Sequence, residues 1–362
     1  MARFRRTAVL MLLCAPFVHA QRKPTHIILV TADGLRWQDV FHGIDESLMK
    51  EKSAGMQDAA AVRDRLWKAT PEERRKALMP FFWNTLVPSG ILLGNATRNS
   101  EMRVTNRYRV SYPGYSEILT GRAQDDVIRG NDKIQNPLPT LLDTLRDKWK
   151  LRPRDVALFA SWDVFTFIGT QKPGSVTINA GYSKLELPMP SARMAALNEE
   201  QFRATTPWES ARHDYFTFAL GFEYLKTARP RALYLAFDET DDWAHDHRYD
   251  KVLEMASEFD RYLEQIWTWV EHDPEYRGTT LLVVTCDHGR GSTLADWNSH
   301  SRNVDGADKI WALFVGPGVT RTGESSNAPT AYQKDIAPTI LSLVGLEPPS
   351  PPIPMVVQTP RP

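Results

Sequence analysis

The sequence is poor in cysteine and has no excess of either charge. Its two cysteines in 362 residues are Cys14 and Cys286, which excludes a fold held together by several disulfides. Lysine plus arginine and aspartate plus glutamate number 44 each, so nothing indicates bulk attraction to nucleic acid, and we expect no nucleic-acid binding. Internal repeats, low-complexity runs and linker-like segments are also lacking, which favours one large domain.

The N-terminus differs from the rest of the chain. Three arginines lie in the first six residues, and a mostly apolar run follows over 8–18. Ala20 then ends a short stretch that has small residues at the positions that a signal peptidase recognises. This pattern predicts a secretory signal peptide over 1–20 that is removed, because the apolar run is too short to span a bilayer. We therefore expect a secreted or periplasmic protein with no membrane span after cleavage.

Short apolar runs alternate with segments of helical spacing along the remaining sequence. The runs are typical of buried parallel strands, and they cover His26–Val30, Val156–Ala160, Ala232–Phe237, Thr280–Thr285 and Lys309–Val315. The alternation predicts an α/β fold with a central, mainly parallel sheet and helices on both faces. We expect a domain over 21–346 with a helical insertion near 45–90, and a Pro-rich irregular tail over 347–362.

Acidic and histidine side chains follow three of the predicted strands. They are Asp33 after the first strand, Asp241 and His245 after the third, Asp287 and His288 after the fourth, and His300 in the loop before the fifth. Each has an ordinary alternative role, such as a turn cap for Asp33. Ligands gather at the carboxyl ends of parallel strands, so we expect the six to converge. Carboxylates and imidazoles suit zinc, and six of them suit two divalent ions that clamp an in-line displacement.

A serine begins the segment 111–122, in which Pro113 suits the first turn of a helix and Gly121 suits its end. Ser111 is therefore either a helix N-cap or a nucleophile. A hydroxyl at a helix N-terminus lies in positive potential, and a neighbouring metal ion would ionise it further. Ser116 is the rival nucleophile, one turn inside the helix.

Segment 111–122 resembles the nucleophile segment of the alkaline phosphatase superfamily. Nucleotide pyrophosphatase/phosphodiesterases read Thr-Phe-Pro-Asn there and sulfatases read Cys/Ser-x-Pro-x-Arg, each followed by Thr-Gly at the offset of Thr120-Gly121. The other clusters match in the family's order. The matching segments are Asp33-Gly34-Leu35-Arg36, Asp241 to His245 with Ala244 in place of a glycine, Asp287-His288-Gly289, His300, and Asp335 to Thr339.

The resemblance implies an exported, metal-dependent hydrolase of phosphate mono- or diesters. Ser111 would attack phosphorus and form a covalent phosphoserine, and the substrate would be a small-molecule phosphate ester. The implied metal ligands are Asp241, His245 and His300 for one ion, and Asp33, Asp287 and His288 for the other, which also contacts Ser111. The resemblance leaves the oligomeric state open.

Two residues depart from the family patterns. Tyr115 stands where sulfatases carry the arginine of the signal for formylglycine formation, and Gly114 stands where phosphodiesterases carry a phosphate-binding asparagine. Asn95, Asn106 and Arg109 are candidate substitutes for that asparagine. A sulfatase and a non-catalytic binding protein that retains the fold remain alternatives, whereas a phosphoethanolamine transferase is disfavoured because membrane helices are lacking after the signal.

Overall fold

The computed structural model describes residues 23–187 and 189–357. The predicted signal peptide, residues 1–20, lies outside them, as does the end of the predicted tail, 358–362. Within the described residues the strands are β1 His26–Ala32, β2 Gly90–Leu93, β3 Met102–Arg103, β4 Val156–Ala160, β5 Thr177–Ala180, β6 Ala232–Phe237, β7 Thr280–Thr285, β8 Lys309–Ile310, β9 Ala312–Val315, β10 Gly323–Glu324 and β11 Ala331–Tyr332.

The α-helices in the same part of the chain are α1 Trp37–His42, α2 Glu46–Lys50, α3 Ala59–Leu66, α4 Pro71–Leu78, α5 Ser111–Thr120, α6 Leu141–Trp149, α7 Phe165–Ile168, α8 Ala192–Glu200, α9 Asp214–Ala228, α10 Glu239–His245, α11 Tyr249–His272 and α12 Ile336–Leu343. Short 3-10 turns and one π-helical turn, Phe82–Leu86, connect several of them. None of these helices combines the length and apolar character that crossing a bilayer requires.

The described strands form one eight-stranded sheet in the order β10-β2-β9-β7-β1-β6-β4-β5 and a small sheet in the order β11-β3-β8. Strands β7, β1, β6, β4 and β5 run parallel, whereas β9 lies antiparallel between β2 and β7. Every residue of β1, β4, β6 and β7 is buried. Because neighbouring residues of a strand face opposite sides, both faces of the sheet are covered, and the predicted α/β class is confirmed.

The predicted strand Lys309–Val315 is wrong as a single strand. The chain leaves the small sheet after β8 and enters the large sheet at β9. Trp311 lies between them, fully buried, and its indole N–H donates to the Leu35 carbonyl at 2.9 Å. One continuous apolar run therefore contains two strands that belong to different sheets. Hydrophobicity alone does not reveal the boundary between them.

The region 45–90 is mainly helical. Helix α4 begins at a capping box, since the Thr70 hydroxyl accepts from the Glu73 N–H at 3.2 Å and the Glu73 carboxylate accepts from the Thr70 N–H at 3.1 Å. Helix α4 packs against α1 and α11. The described part of the tail, 347–357, forms no helix or regular strand, but it buries Ile353 and Val356.

The sheet order determines where the acidic residues meet. Strand β1 lies between β6 and β7, with Ala32 opposite Phe237 and Thr31 opposite Thr285. The residues that follow the three strands therefore leave the same edge side by side, and the Asp33 N–H donates to the Phe237 carbonyl at 2.9 Å. Three carboxylate-bearing segments meet here because of strand register alone.

Candidate metal centre

One group at this edge consists of Asp33, Asp287 and His288, all buried. The His288 Nε2 lies 3.3 Å from Asp33 Oδ1 and 3.4 Å from Asp287 Oδ2. Neither carboxylate oxygen accepts a hydrogen bond within the described residues. Buried carboxylate oxygens without partners are costly, and a bound cation would satisfy both. The donor set therefore fits a divalent metal ion.

A second group consists of Asp241, His288 and His300. Asp241 Oδ1 lies 3.7 Å from the Nε2 atoms of both histidines, whose rings stack with centroids 3.8 Å apart. His245 is exposed, and its Nε2 lies 3.1 Å from Asp241 Oδ2 and 3.0 Å from His300 Nε2. The six residues named from the sequence thus lie together, with His288 shared by both groups and His245 at the rim.

Two of the histidines are held in the form that binds metal ions. His288 Nδ1 lies 3.0 Å from the Gly289 carbonyl, and His300 Nδ1 lies 3.1 Å from the Arg109 carbonyl. Because a carbonyl only accepts, each Nδ1 carries the proton and each Nε2 presents a lone pair to the carboxylates. Metal-binding histidines are commonly oriented in this way by their second nitrogen.

Burial dominates the electrostatics of the centre. It raises the pKa of Asp33 well above the usual range, helped by the charge of Asp241 and opposed by the Tyr115 hydroxyl. Burial, with the charge of Asp33, also raises the pKa of Asp287. Burial likewise lowers the pKa of His300, which favours its neutral form. A cation would relieve the mutual repulsion of the carboxylates and favour their ionised forms.

Ser111 lies beside the first group. It is the first residue of α5, with Val110 as the N-cap, and it is 5% exposed. Its Oγ lies 3.4 Å from His288 Nε2. Ser111 is therefore not the N-cap, which was the alternative to its role as the nucleophile. Ser116, the rival nucleophile, lies one turn further along the helix and accepts a hydrogen bond from the Gln124 side chain.

The two departures from the family patterns have physical reasons here. A Cβ on Gly114 would collide with the carbonyl of Asp287, so no asparagine fits at this position. Tyr115 is fully buried, and its hydroxyl donates to Asp33 Oδ2 at 3.0 Å. Tyr115 thus positions a candidate ligand, a role that the sequence did not reveal because a helical tyrosine reads as an ordinary core residue.

The candidate substitutes for the missing asparagine have other partners. The Asn95 amide donates to Glu324 at 2.5 Å, and the Asn106 amide donates to Glu117 at 2.9 Å. The Arg109 guanidinium lies 3.6 Å from the Asp308 carboxylate. Of these three residues, only Arg109 contacts the centre, and it does so through its backbone carbonyl, which lies 3.1 Å from His300 Nδ1.

Arg290 is a further residue that the sequence did not reveal. It is 1% exposed and donates to the carboxylate of Asp241, to the Gly34 carbonyl at 3.0 Å and to the Asn298 carbonyl at 2.6 Å. Burial alone would raise the pKa of Asp241, but Arg290, together with His245, holds that pKa well below its usual range. The sequence could have indicated Arg290 through its position directly after the segment Asp287-His288-Gly289.

Comparisons with known proteins agree with this architecture. Residues 220–348 match the family model described as the Metalloenzyme superfamily. No curated protein matches the sequence. The fold is similar to that of the wild-type alkaline phosphatase PafA, with a TM-score of 0.61 and 12% identity over 94% of this chain and 100% of that one.

Two further solved structures share the fold. The phosphonate monoester hydrolase SpPMH from Silicibacter pomeroyi has a TM-score of 0.54 and 15% identity, covering 90% of this chain and 74% of its own. A putative sulfatase from Bacteroides thetaiotaomicron has a TM-score of 0.55 and 12% identity, covering 91% of this chain and 72% of its own.

Residues 220–348 are thus similar to the Metalloenzyme superfamily, and the fold of the chain is similar to that of an alkaline phosphatase. The description of the matched model agrees with the donor set of the centre, which fits divalent metal ions.

The contact between Tyr115 and Asp33 is testable by Tyr115→Phe. The substitution keeps the ring packed against Phe165, whose centroid is 4.6 Å away, but it removes the hydrogen bond that orients Asp33. We expect zinc affinity to fall by about 10- to 100-fold, as for other partners of metal ligands, measured by competition with a chelator.

Tyr112→Phe is the matched control, because the Tyr112 hydroxyl on the same helix donates to the Ile134 carbonyl at 2.7 Å. Equal zinc affinity in the wild type and Tyr115→Phe, or equal losses in both variants, would contradict the positioning role.

Proposed function

We propose that the protein hydrolyses phosphate monoesters or diesters with Ser111 as the nucleophile at a two-metal site. One observation carries the proposal: the Ser111 Oγ lies 3.4 Å from His288 Nε2, and that nitrogen lies within 3.4 Å of two buried carboxylates. A cation held by these carboxylates and this nitrogen would lie next to the Ser111 hydroxyl. This arrangement suits a nucleophile that is activated by a metal ion.

Three carboxylates and three histidines would hold the two ions. Asp33, Asp287 and His288 would hold the ion next to Ser111, and Asp241, His245 and His300 would hold the other. Mixed nitrogen and oxygen ligands favour zinc over calcium, which prefers oxygen ligands. When bound, such ions lower the pKa of a hydroxyl and neutralise charge on the transferred group.

The residues of the chain supply the attack and its geometry. Ser111 Oγ would lose its proton and form a bond to phosphorus while the bond to the departing ester oxygen breaks, and that oxygen takes up a proton and leaves as an alcohol or phenol. Water then hydrolyses the phosphoserine to free phosphate, or the esterified phosphoserine formed from a diester to a phosphomonoester, and restores the Ser111 hydroxyl. Burial of Ser111 limits competing water, and its place in the first turn of the ten-residue helix α5 favours negative charge on Oγ.

Phosphate esters are favoured over sulfate esters by Tyr115. The residue occupies the position of the sulfatase arginine, and its hydroxyl is engaged by Asp33. Without that arginine the serine lacks the signal for formylglycine formation, so an unmodified hydroxyl is the expected nucleophile. The solved structures of similar fold include both an alkaline phosphatase and a putative sulfatase, so activity on phosphate and sulfate esters distinguishes the two functions.

We also propose that the enzyme is exported, since residues 1–20 carry the pattern of a cleaved signal peptide. The mass of the protein recovered from the periplasm or medium would then correspond to a chain that begins at Gln21. Recovery of the full chain in the cytoplasm would contradict export.

Ser111→Ala tests the function. We expect the zinc-loaded wild type to turn over an aryl phosphomonoester or a bis-aryl phosphodiester faster than an aryl sulfate. In Ser111→Ala, kcat/KM should fall by at least about a thousandfold, because loss of a nucleophile leaves only binding and electrostatic contributions.

Ser116→Ala is the control, because this hydroxyl lies on the same helix but contacts Gln124. Full activity of Ser111→Ala would overturn the assignment of the nucleophile. Dominant cleavage of the sulfate would favour the sulfatase, and metal-loaded protein inert to all three esters would favour a binding protein that retains the fold.

A further inference from the structure

An open cleft of about 420 Å³ lies next to the candidate centre. Two of its lining residues are Val110 and Ser301, which directly precede Ser111 and directly follow His300. The cleft is thus lined by the chain neighbours of the proposed nucleophile and of one proposed metal ligand. A group attached to a phosphate at the centre would extend into this space.

The cleft is lined by two arginines without carboxylate partners. Arg129 and Arg302 make no ion pair within residues 23–187 and 189–357, although Arg129 donates to the Asp126 carbonyl at 3.2 and 3.1 Å. In contrast, Arg107, which does not line the cleft, pairs with Asp125 at 3.3 Å. No acidic residue lines the cleft to offset the two guanidinium groups.

One wall of the cleft is tied to the nucleophile helix. The Asn131 side chain, two residues after Arg129, accepts from the Tyr112 N–H in the first turn of α5 at 3.0 Å. This contact holds the loop that carries Arg129 at a fixed place relative to Ser111. Tyr108 adds an aromatic surface to the same cleft.

We propose that this cleft binds the part of the substrate outside the transferred phosphate and selects esters whose other group carries a second anion, a carboxylate or a phosphate. The inference rests on the proposed function of the centre. Guanidinium groups match both anions through paired hydrogen bonds, and the Tyr108 ring suits a planar or apolar body between the two charges. The cleft binds and orients, and no bond forms or breaks in it.

The test compares phenyl phosphate with 4-carboxyphenyl phosphate in the zinc-loaded full chain. The measured quantity is the ratio of kcat/KM for the carboxylated ester to that for the plain ester, because differences in intrinsic reactivity cancel when this ratio is compared between variants. In Arg129→Gln/Arg302→Gln we expect the ratio to fall by about three- to tenfold at low salt, as two partly exposed charge contacts are lost, and by less at high salt.

Arg65→Gln/Arg277→Gln is the matched control, because both arginines are exposed, lie outside the cleft and lack carboxylate partners within the described residues. Its ratio should equal that of the wild type. An unchanged ratio in Arg129→Gln/Arg302→Gln, or an equal fall in the control, would overturn the proposal.

Binding measurements separate failure of the cleft from failure of the proposed function. If the wild type turns over neither these monoesters nor the bis-aryl phosphodiester, the catalytic proposal fails, and calorimetry with 4-carboxyphenylphosphonate and phenylphosphonate then judges the cleft. Tighter binding of the carboxylated phosphonate that is lost in Arg129→Gln/Arg302→Gln would support it. Equal binding of the two phosphonates, or no binding of either, would contradict it.

Discussion

The candidate site depends on buried negative charge gathered at one edge of a parallel sheet. Because β1 lies between β6 and β7, the segments that follow these strands leave the sheet side by side. Asp33, Asp241 and Asp287 are thereby drawn to one buried place. Such a cluster is stable only if its charge is neutralised by protons, by a protein cation or by metal ions.

The structure supplies a protein cation for only part of this charge. Arg290 contacts Asp241 directly, whereas Asp33 has the Tyr115 hydroxyl and Asp287 has the Gly34 N–H at 3.0 Å. One oxygen of each of these last two carboxylates faces the Nε2 of His288 without a hydrogen bond. Within the described residues, Asp33 and Asp287 are therefore the carboxylates of this cluster that lack a positively charged partner from the protein, and they lie next to Ser111.

Much of the fold was predictable because buried parallel strands read as continuous apolar runs. The bounds of β4, β6 and β7 were predicted to the residue. The strand β2, Gly-Ile-Leu-Leu, is apolar but too short to distinguish from a buried helical turn, and β5 contains an asparagine and has no clear apolar pattern. The break at Trp311 depends on a tertiary hydrogen bond that no local pattern contains.

The site was predictable where a side chain immediately follows a strand, as Asp33 and Asp287 do. Arg290 and Tyr115 were missed because their roles depend on which side chain lies opposite them in space, and on sequence alone each reads as an ordinary surface or core residue. The sharing of His288 by two groups was likewise invisible, since it arises from a stack with His300. Assignment of each ligand to one ion remains a prediction.

The most direct test of the account is a crystal grown with zinc and measured at the zinc absorption edge. The account predicts two anomalous peaks a few ångströms apart, one bounded by Asp33, Asp287 and His288 and the other by Asp241, His245 and His300. An anomalous map without peaks at these side chains, in protein that retains the same fold, would contradict it.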